Sequence, residues 1–218
     1  MDLALEDHPI HKNQHGFQRG LSTETAISKT VNYIEKHINS GREVLGVFLD
    51  IQAAFDTICP KHIRASLLKH GADSDLAEFY YNYITHRHLV NEAIEIINEY
   101  GVTGQGFADD CDPMIGGDNT HDMYKNMQRM LNKLYRWGEG KNLKFNPTKT
   151  VAVLFSKKHK SKPKFLKLGG KFIKHETEVK YLGVTLEKRL SWRNHINDKI
   201  NTCKAMLLNI TNKYRHAT

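Results

Sequence analysis

From Ser22 onward, apolar residues fall at Ile27, Val31, Ile34 and Ile38, the stripe of an amphipathic helix. Ser22 can cap it and Gly41 can stop it, so the spacing predicts a helix over 22–41. The next apolar stretch, "VLGVFL" at 44–49, shows no alternation. A short run with β-branched and aromatic members predicts a strand buried on both faces, ending on Asp50. Pro60 can open another helix, with Ile63, Leu67 and Leu68 inward and Gly71 closing it. Residues 74–100 contain neither glycine nor proline. A single helix of that length would be long for a globular domain, so two helices meeting near 86–91 are expected.

The second half alternates more quickly. "GVTGQGFADDCDPMIGG" (101–117) predicts strand, turn and strand, and Asn119 caps a helix with Met123, Met127, Met130, Leu134 and Trp137 on one face. "TVAVLFSK" (150–157) predicts a strand. "KFLKLGGKFIK" (164–174) predicts two short strands around Gly169-Gly170, and "VKYLGVTL" (179–186) a further strand. From Ser191 a helix carries Trp192, Ile196, Ile200, Cys203, Leu207 and Ile210 on one face. Strands and helices alternate irregularly and include hairpins, which gives an α+β fold with a largely antiparallel sheet.

The chain has 218 residues, enough for one or two domains with a sizeable core. No apolar run approaches the ~20 residues of a membrane span. The N-terminal "MDLALEDHPIHKNQ" is acidic and lacks a signal peptide's apolar segment. The expectation is an intracellular protein without a membrane partner, in nucleus or cytoplasm. Three scattered cysteines argue against a disulfide framework, and the thirteen histidines form no His-Glu-x-x-His pair. Net charge is +8, and residues 157–174 hold eight lysines and no acid. Outside that stretch basic and acidic residues balance at 24 each, so the excess is one local patch. Lys157, Lys158, Lys160, Lys162 and Lys164 are candidates for contact with a nucleic-acid backbone. The alternative is a solvated loop.

Carboxylates carry the candidate chemistry. Asp50 ends the apolar strand, and Asp109 and Asp110 sit at the turn of the expected hairpin. If the two elements lie side by side, these groups converge at one end of the sheet. Clustered carboxylates repel and ionise together only around cations. Mg²⁺ suits such a site, since it takes oxygen ligands from carboxylates and substrate phosphates. The alternative is a polar surface turn, where Asp-Asp is common. Asp112-Pro113 follows where the second hairpin strand should run, and proline removes a ladder donor there.

Five segments, in order, resemble the reverse transcriptase domain of a non-LTR (LINE-type) retrotransposon. They are "QHGFQRGLSTETA" (14–26), "VFLDIQAAFDTI" (47–58), "GFADD" (106–110), "NLKFNPTKT" (142–150) and "VKYLGVTLEKRLSWRNHI" (179–196). The resemblance implies a polymerase-type palm, an antiparallel sheet packed on helices, with partial fingers and the start of a thumb. It implies partial fingers at 1–43, palm at 44–156, a basic hairpin and Leu-Gly region at 157–190, and a thumb helix beginning at 191–218. It implies RNA-templated DNA synthesis with Mg²⁺ or Mn²⁺, an RNA template, a DNA primer and deoxynucleoside triphosphates. Asp50 and Asp109 would bridge the metals, with Asp110 supporting them and the Ile51 carbonyl completing one coordination sphere. Phe55 would pack under the incoming sugar, Arg19 would face the triphosphate, and Lys149 would give a proton to the leaving pyrophosphate.

The sequence also departs from the family. Asp50 and Asp109 are 59 positions apart, where the family usually has several tens more, and its Pro-Gln-Gly loop between them is absent. "HRHLV" runs straight into "NEAIEIINEYG", which predicts an internal deletion near 90–91 and a fused or kinked helical segment over 74–100. Gln18 stands where the family often has a basic residue. The fingers are short, the chain ends barely into a thumb, and no nuclease or zinc-knuckle segment is expected. Two functional readings follow: a polymerase domain, or a catalytically dead remnant that binds nucleic acid through its lysines.

Overall fold

The computed structural model describes residues 11–16, 18–52, 92–107, 110–141, 143–158 and 161–215. The expected helix opening at Pro60, and most of the 74–100 segment, lie outside the described residues. In chain order the elements begin with α1 (Thr23–Asn39), β1 (Glu43–Phe48) and β2 (Ile51–Gln52). A helical stretch α2 (residues 92–98) follows. Then come β3 (Gly106–Phe107), β4 (Asp110–Cys111), β5 (Met114–Gly117), α3 (Thr120–Gly140), β6 (Lys144–Phe145) and β7 (Val151–Phe155). The chain continues through β8 (Lys167–Leu168), β9 (Lys171–Phe172), β10 (Lys174–Glu176), β11 (Glu178–Tyr181), β12 (Val184–Glu187) and α4 (Arg193–Arg215). This is a mixed α+β fold, and the described helices are not long and apolar enough to cross a membrane.

The main sheet runs β10-β7-β1-β5, antiparallel except for the β10–β7 pair. β1 is central, and all six of its residues are buried. Its alternate side chains feed two cores. Leu45, Val47 and Leu49 join Ile94, Ile97, Met127, Met130, Leu134 and Leu154. Val44 and Phe48 join Ile34, Ile38, Met114, Val153, Phe155 and Tyr181. A strand with both faces covered gains nothing from polar residues on either, which is why its sequence does not alternate. Each large apolar side chain so buried contributes roughly 1.5–3 kcal/mol.

The helices end where local chemistry ends them. Ser22 caps α1: its hydroxyl accepts from Thr25 N–H while the Thr25 hydroxyl accepts from Ser22 N–H, a reciprocal box. Gly41 then takes φ +78°, a conformation that suits glycine after a helix. Asn119 caps α3 by accepting from His121 and Asp122 N–H. Met123, Met127, Met130 and Leu134 face the core as the spacing predicts, and Trp137 is half-buried with its indole N–H donated to Glu92.

Asp112-Pro113 does interrupt the strand, since β4 stops at Cys111 and β5 starts at Met114. The interruption is accommodated. Val47 N–H donates to the Pro113 carbonyl at 2.9 Å, and Leu49 N–H to that of Cys111 at 3.0 Å. On the side facing β1 the proline needs only a carbonyl, so its missing N–H costs nothing there.

Candidate active site

Asp50 leaves the end of β1 with its backbone gripped by a turn roughly a hundred residues away. Asn146 N–H donates to the Asp50 carbonyl at 2.8 Å, and Asp50 N–H donates to Thr150 Oγ1 at 3.3 Å. The turn braces itself: Thr150 N–H and Oγ1 donate to the Asn146 carbonyl, and Thr148 N–H and Oγ1 donate to Asn146 Oδ1. Proline at 147 suits such a turn. β2 pairs with β6 just beyond, Ile51 opposite Phe145, which fixes Ile51 beside Asp50. The clamp therefore carries Lys149 to the same place as Asp50.

The second acidic motif forms a hairpin in which Phe107 pairs with Asp110 and Gly106 with Cys111. Ala108 and Asp109, between the paired residues, lie outside the described residues. Leu49 bridges to Cys111, so the hairpin abuts the end of β1 where Asp50 emerges. Its far side is held by residues 13–15. His15 N–H donates to the Gly106 carbonyl at 2.6 Å, and Gly106 N–H donates to that of Asn13 at 2.7 Å. Gln14 and His15 are buried, and the His15 ring contacts Thr25 Oγ1 at 2.7 Å and Gln105 Oε1 at 3.1 Å. Asn13 and His15 thus join α1 to the hairpin.

Asp112 is the residue whose role the sequence concealed. It is 1% exposed, and its carboxyl accepts from Gln105 N–H at 2.7 Å and from Thr30 Oγ1 at 2.5 Å. Burial, aided by the charge of Asp110, pushes its pKa up to about 7 against the pull of these donors. Its partner Thr30 lies 82 positions away, and the hydrophobic pattern carries no sign of it. The Tyr181 phenol is also pushed up, by burial first and then by Asp112.

Asp50, Asp110 and Lys149 line one open pocket of about 470 Å³, together with Glu176, Glu178, Lys180 and Tyr181. The cleft thus brings four carboxylates and two lysines to one end of the sheet. Glu176, Glu178 and Lys180 were not singled out by sequence, although "VKYLGV" marks the strand that brings Lys180 and Tyr181. Oxygen donors dominate, as a hard divalent cation prefers. Among the described residues no group of three or more His, Cys, Asp or Glu side chains is arranged around a metal position. Asp109, which the expected set requires, falls outside them, as do Phe55 and Lys160.

The remaining candidates lie elsewhere. Arg19 is exposed and does not line the pocket. Lys157, Lys158, Lys162 and Lys164 are also exposed and away from it. Lys157 Nζ donates to Asn39 Oδ1, and Lys164 Nζ lies 3.1 Å from His121 Nδ1.

No family model matches the chain. It is 23% identical to the "RNA-directed DNA polymerase from mobile element jockey" of Drosophila melanogaster, over 87% of this chain and 24% of that protein. It is 22% identical to the "Probable RNA-directed DNA polymerase from transposon BS" of the same fly, over 93% of this chain and 26% of that protein. It is 24% identical to the "Retrovirus-related Pol polyprotein from type-1 retrotransposable element R1" of Bradysia coprophila, over 89% of this chain and 22% of that protein. The chain spans about a quarter of the length of these relatives. The alignments run to 225, 242 and 228 positions, longer than the whole chain although each uses only part of it. The relatives therefore carry tens of residues that this chain lacks within the aligned region. Along nearly its whole length, with five motifs in order, the chain is similar to the reverse transcriptase domains of non-LTR, LINE-type retrotransposons.

Proposed function

We propose that the chain is the RNA-directed DNA polymerase portion of such an element, extending a DNA primer on an RNA template with deoxynucleoside triphosphates. The observation that carries this reading is the convergence of Asp50, Asp110 and Lys149 on one pocket from three separate motifs. Asp50, Asp109 and Asp110, with the Ile51 carbonyl, would hold Mg²⁺ or Mn²⁺. Bound there, two such ions supply activation of the primer 3′ hydroxyl and stabilisation of the leaving pyrophosphate. Lys149 holds a proton at Nζ for that leaving group. Phe55 would pack under the incoming sugar, and Arg19, which does not line the pocket, would reach its triphosphate from outside it. Strands β1, β5 and β7 of the sheet, with α2 and α3, correspond to a palm within 44–156, residues 1–43 to partial fingers, 157–190 to a basic hairpin region that adds β10 to the sheet, and 191–218 to the start of a thumb. Lys157, Lys158, Lys160, Lys162 and Lys164 contact the nucleic-acid backbone.

A second reading has its own support. The tens of residues missing relative to the three relatives agree with an internal deletion near 90–91, and positioning is as necessary to polymerisation as metal ions. On that reading the chain is a remnant that binds nucleic acid without extending it. Primer extension on an RNA template with Mg²⁺ or Mn²⁺ separates the two. Extension that vanishes in Asp110→Asn, with binding retained, supports the polymerase. Background extension together with salt-sensitive binding selects the remnant. In either case affinity should fall log-linearly with salt.

A further inference from the structure

We propose that the outer face of the β8–β9 hairpin is a stacking platform for single-stranded nucleic acid, separate from the carboxylate pocket. The hairpin alternates as a half-buried ribbon should. Leu166, Leu168 and Ile173 are at most 3% exposed and face the core, whereas Phe165 is 83% and Phe172 62% exposed. Lys167 pairs directly across from Phe172, and Phe165 precedes Lys167 by two, so the three share the outward face. The two rings meet edge to face, with centroids 5.5 Å apart, and Lys167 Nζ stands 4.6 Å from the Phe172 centroid. Two exposed phenylalanines in contact, with a cation over one of them, are costly to leave in water unless something covers them.

The face is held ready. The Gln128 side chain of α3 accepts from Lys167 N–H at 2.8 Å and donates to the Lys167 carbonyl at 2.9 Å. Ile173 N–H donates to the Leu166 carbonyl at 2.9 Å. Gly169 and Gly170 close the ribbon with positive φ. A platform fixed by backbone bonds loses little freedom when a ligand settles on it.

Its charge selects the occupant. The hairpin lies within the stretch of eight lysines and no acid. Of the described lysines in that stretch, only Lys174 is ion-paired, with Glu176. Lysine is depleted at apolar protein interfaces, whereas aromatic rings interleaved with cations match a strand of bases on a phosphate backbone. A duplex keeps its base faces stacked, so the fitting ligand is single-stranded. Phe165, Lys167 and Phe172 do not line the pocket of Asp50 and Asp110, so the platform binds whether or not a primer is extended.

The test is fluorescence anisotropy of the full chain with labelled oligothymidylate or oligouridylate of roughly 15 nucleotides, within the footprint of single-strand binders. A duplex of equal length serves as comparison. The double change Phe165→Ala with Phe172→Ala should weaken single-strand binding about tenfold or more, and the double change to Leu should do the same. The double change to Tyr should stay within about twofold of the parent. Duplex affinity should not move. Both rings are exposed, so thermal midpoints should match, and the Leu and Tyr pairs compare variants of similar bulk. Unchanged single-strand affinity in the Ala variant overturns the proposal. So does full retention by the Leu variant, which would mark an apolar protein-docking face. Failure of primer extension leaves this measurement untouched.

Discussion

Asp112 shows how one side chain can govern a larger unit. It ties Thr30 of α1 to the strand entering the acidic hairpin, and it does so from a fully buried position. Folding raises its pKa from 3.8 to about 7. The sign follows: its contribution to stability is fully present below about pH 4 and is lost as pH rises through about 7, up to about 4 kcal/mol at the upper end. Burial lowers the pKa of His15 and His175, so these act in the opposite direction, their contribution lost as pH falls through 6.5. The measurement must therefore be a difference. The urea midpoint of the parent, relative to Asp112→Asn, should fall between about pH 5 and about pH 8. A constant difference would contradict the assigned burial. Thr150 offers a second test, because it is fully buried and serves both Asn146 and the Asp50 backbone. Thr150→Val should cost about 1–3 kcal/mol in urea unfolding, since the Asp50 N–H loses its acceptor. A cost near zero would mean that the clamp on Asp50 is not held by this hydroxyl. Asp50 and Lys149 could be found in the sequence because their neighbours in the chain form motifs. Asp112 could not, because its partners are distant and its proline reads as a breaker.

At the level of elements, pattern predicted more than detail. β1, β7, α3 and the Gly169-Gly170 hairpin stand where periodicity and turn residues put them. In α1 the buried face is Ala26, Thr30, Ile34 and Ile38, with Ile27 and Val31 only partly covered. Thr30 on the buried face donates to Asp112, a polar contact that hydrophobic spacing cannot register. α4 forms where the pattern predicts a helix, with Trp192 just ahead of it, yet Ile196, Ile200 and Leu207 are 45–62% exposed. Periodicity assigns a face and does not supply the surface it meets. The hairpin allows a comparison between adjacent glycines. A Cβ at Gly169 would come within 2.3 Å of the Tyr135 ring, whereas one at Gly170 meets nothing within 4 Å. Both have positive φ, so each alanine costs about 1–2 kcal/mol of backbone strain. Gly169→Ala should be the more destabilising by thermal denaturation, and equal losses would place Tyr135 elsewhere.

Across the whole molecule, the pocket is assembled from segments spread through the sequence: the end of β1, the hairpin, the 146–150 turn and β11. The motif order made the resemblance readable, while the convergence itself needed the sheet. If the missing stretch is what limits primer extension, grafting the corresponding segment of a relative between Val90 and Asn91 should raise extension without altering Asp110 dependence. No gain would shift the blame to the pocket itself. The position of β1 has a further consequence, which concerns time. The strand leaves the ribosome before its sheet neighbours β5 and β7, which are encoded at 114–117 and 151–155. At ordinary translation speeds the apolar segment "VLGVFL" waits about 5–20 s for its second neighbour. An uncharged β-prone hexamer left open for that long is a target for intermolecular pairing. Soluble yield should therefore depend on the pace of synthesis and on chaperone supply more than on the stability of the finished fold.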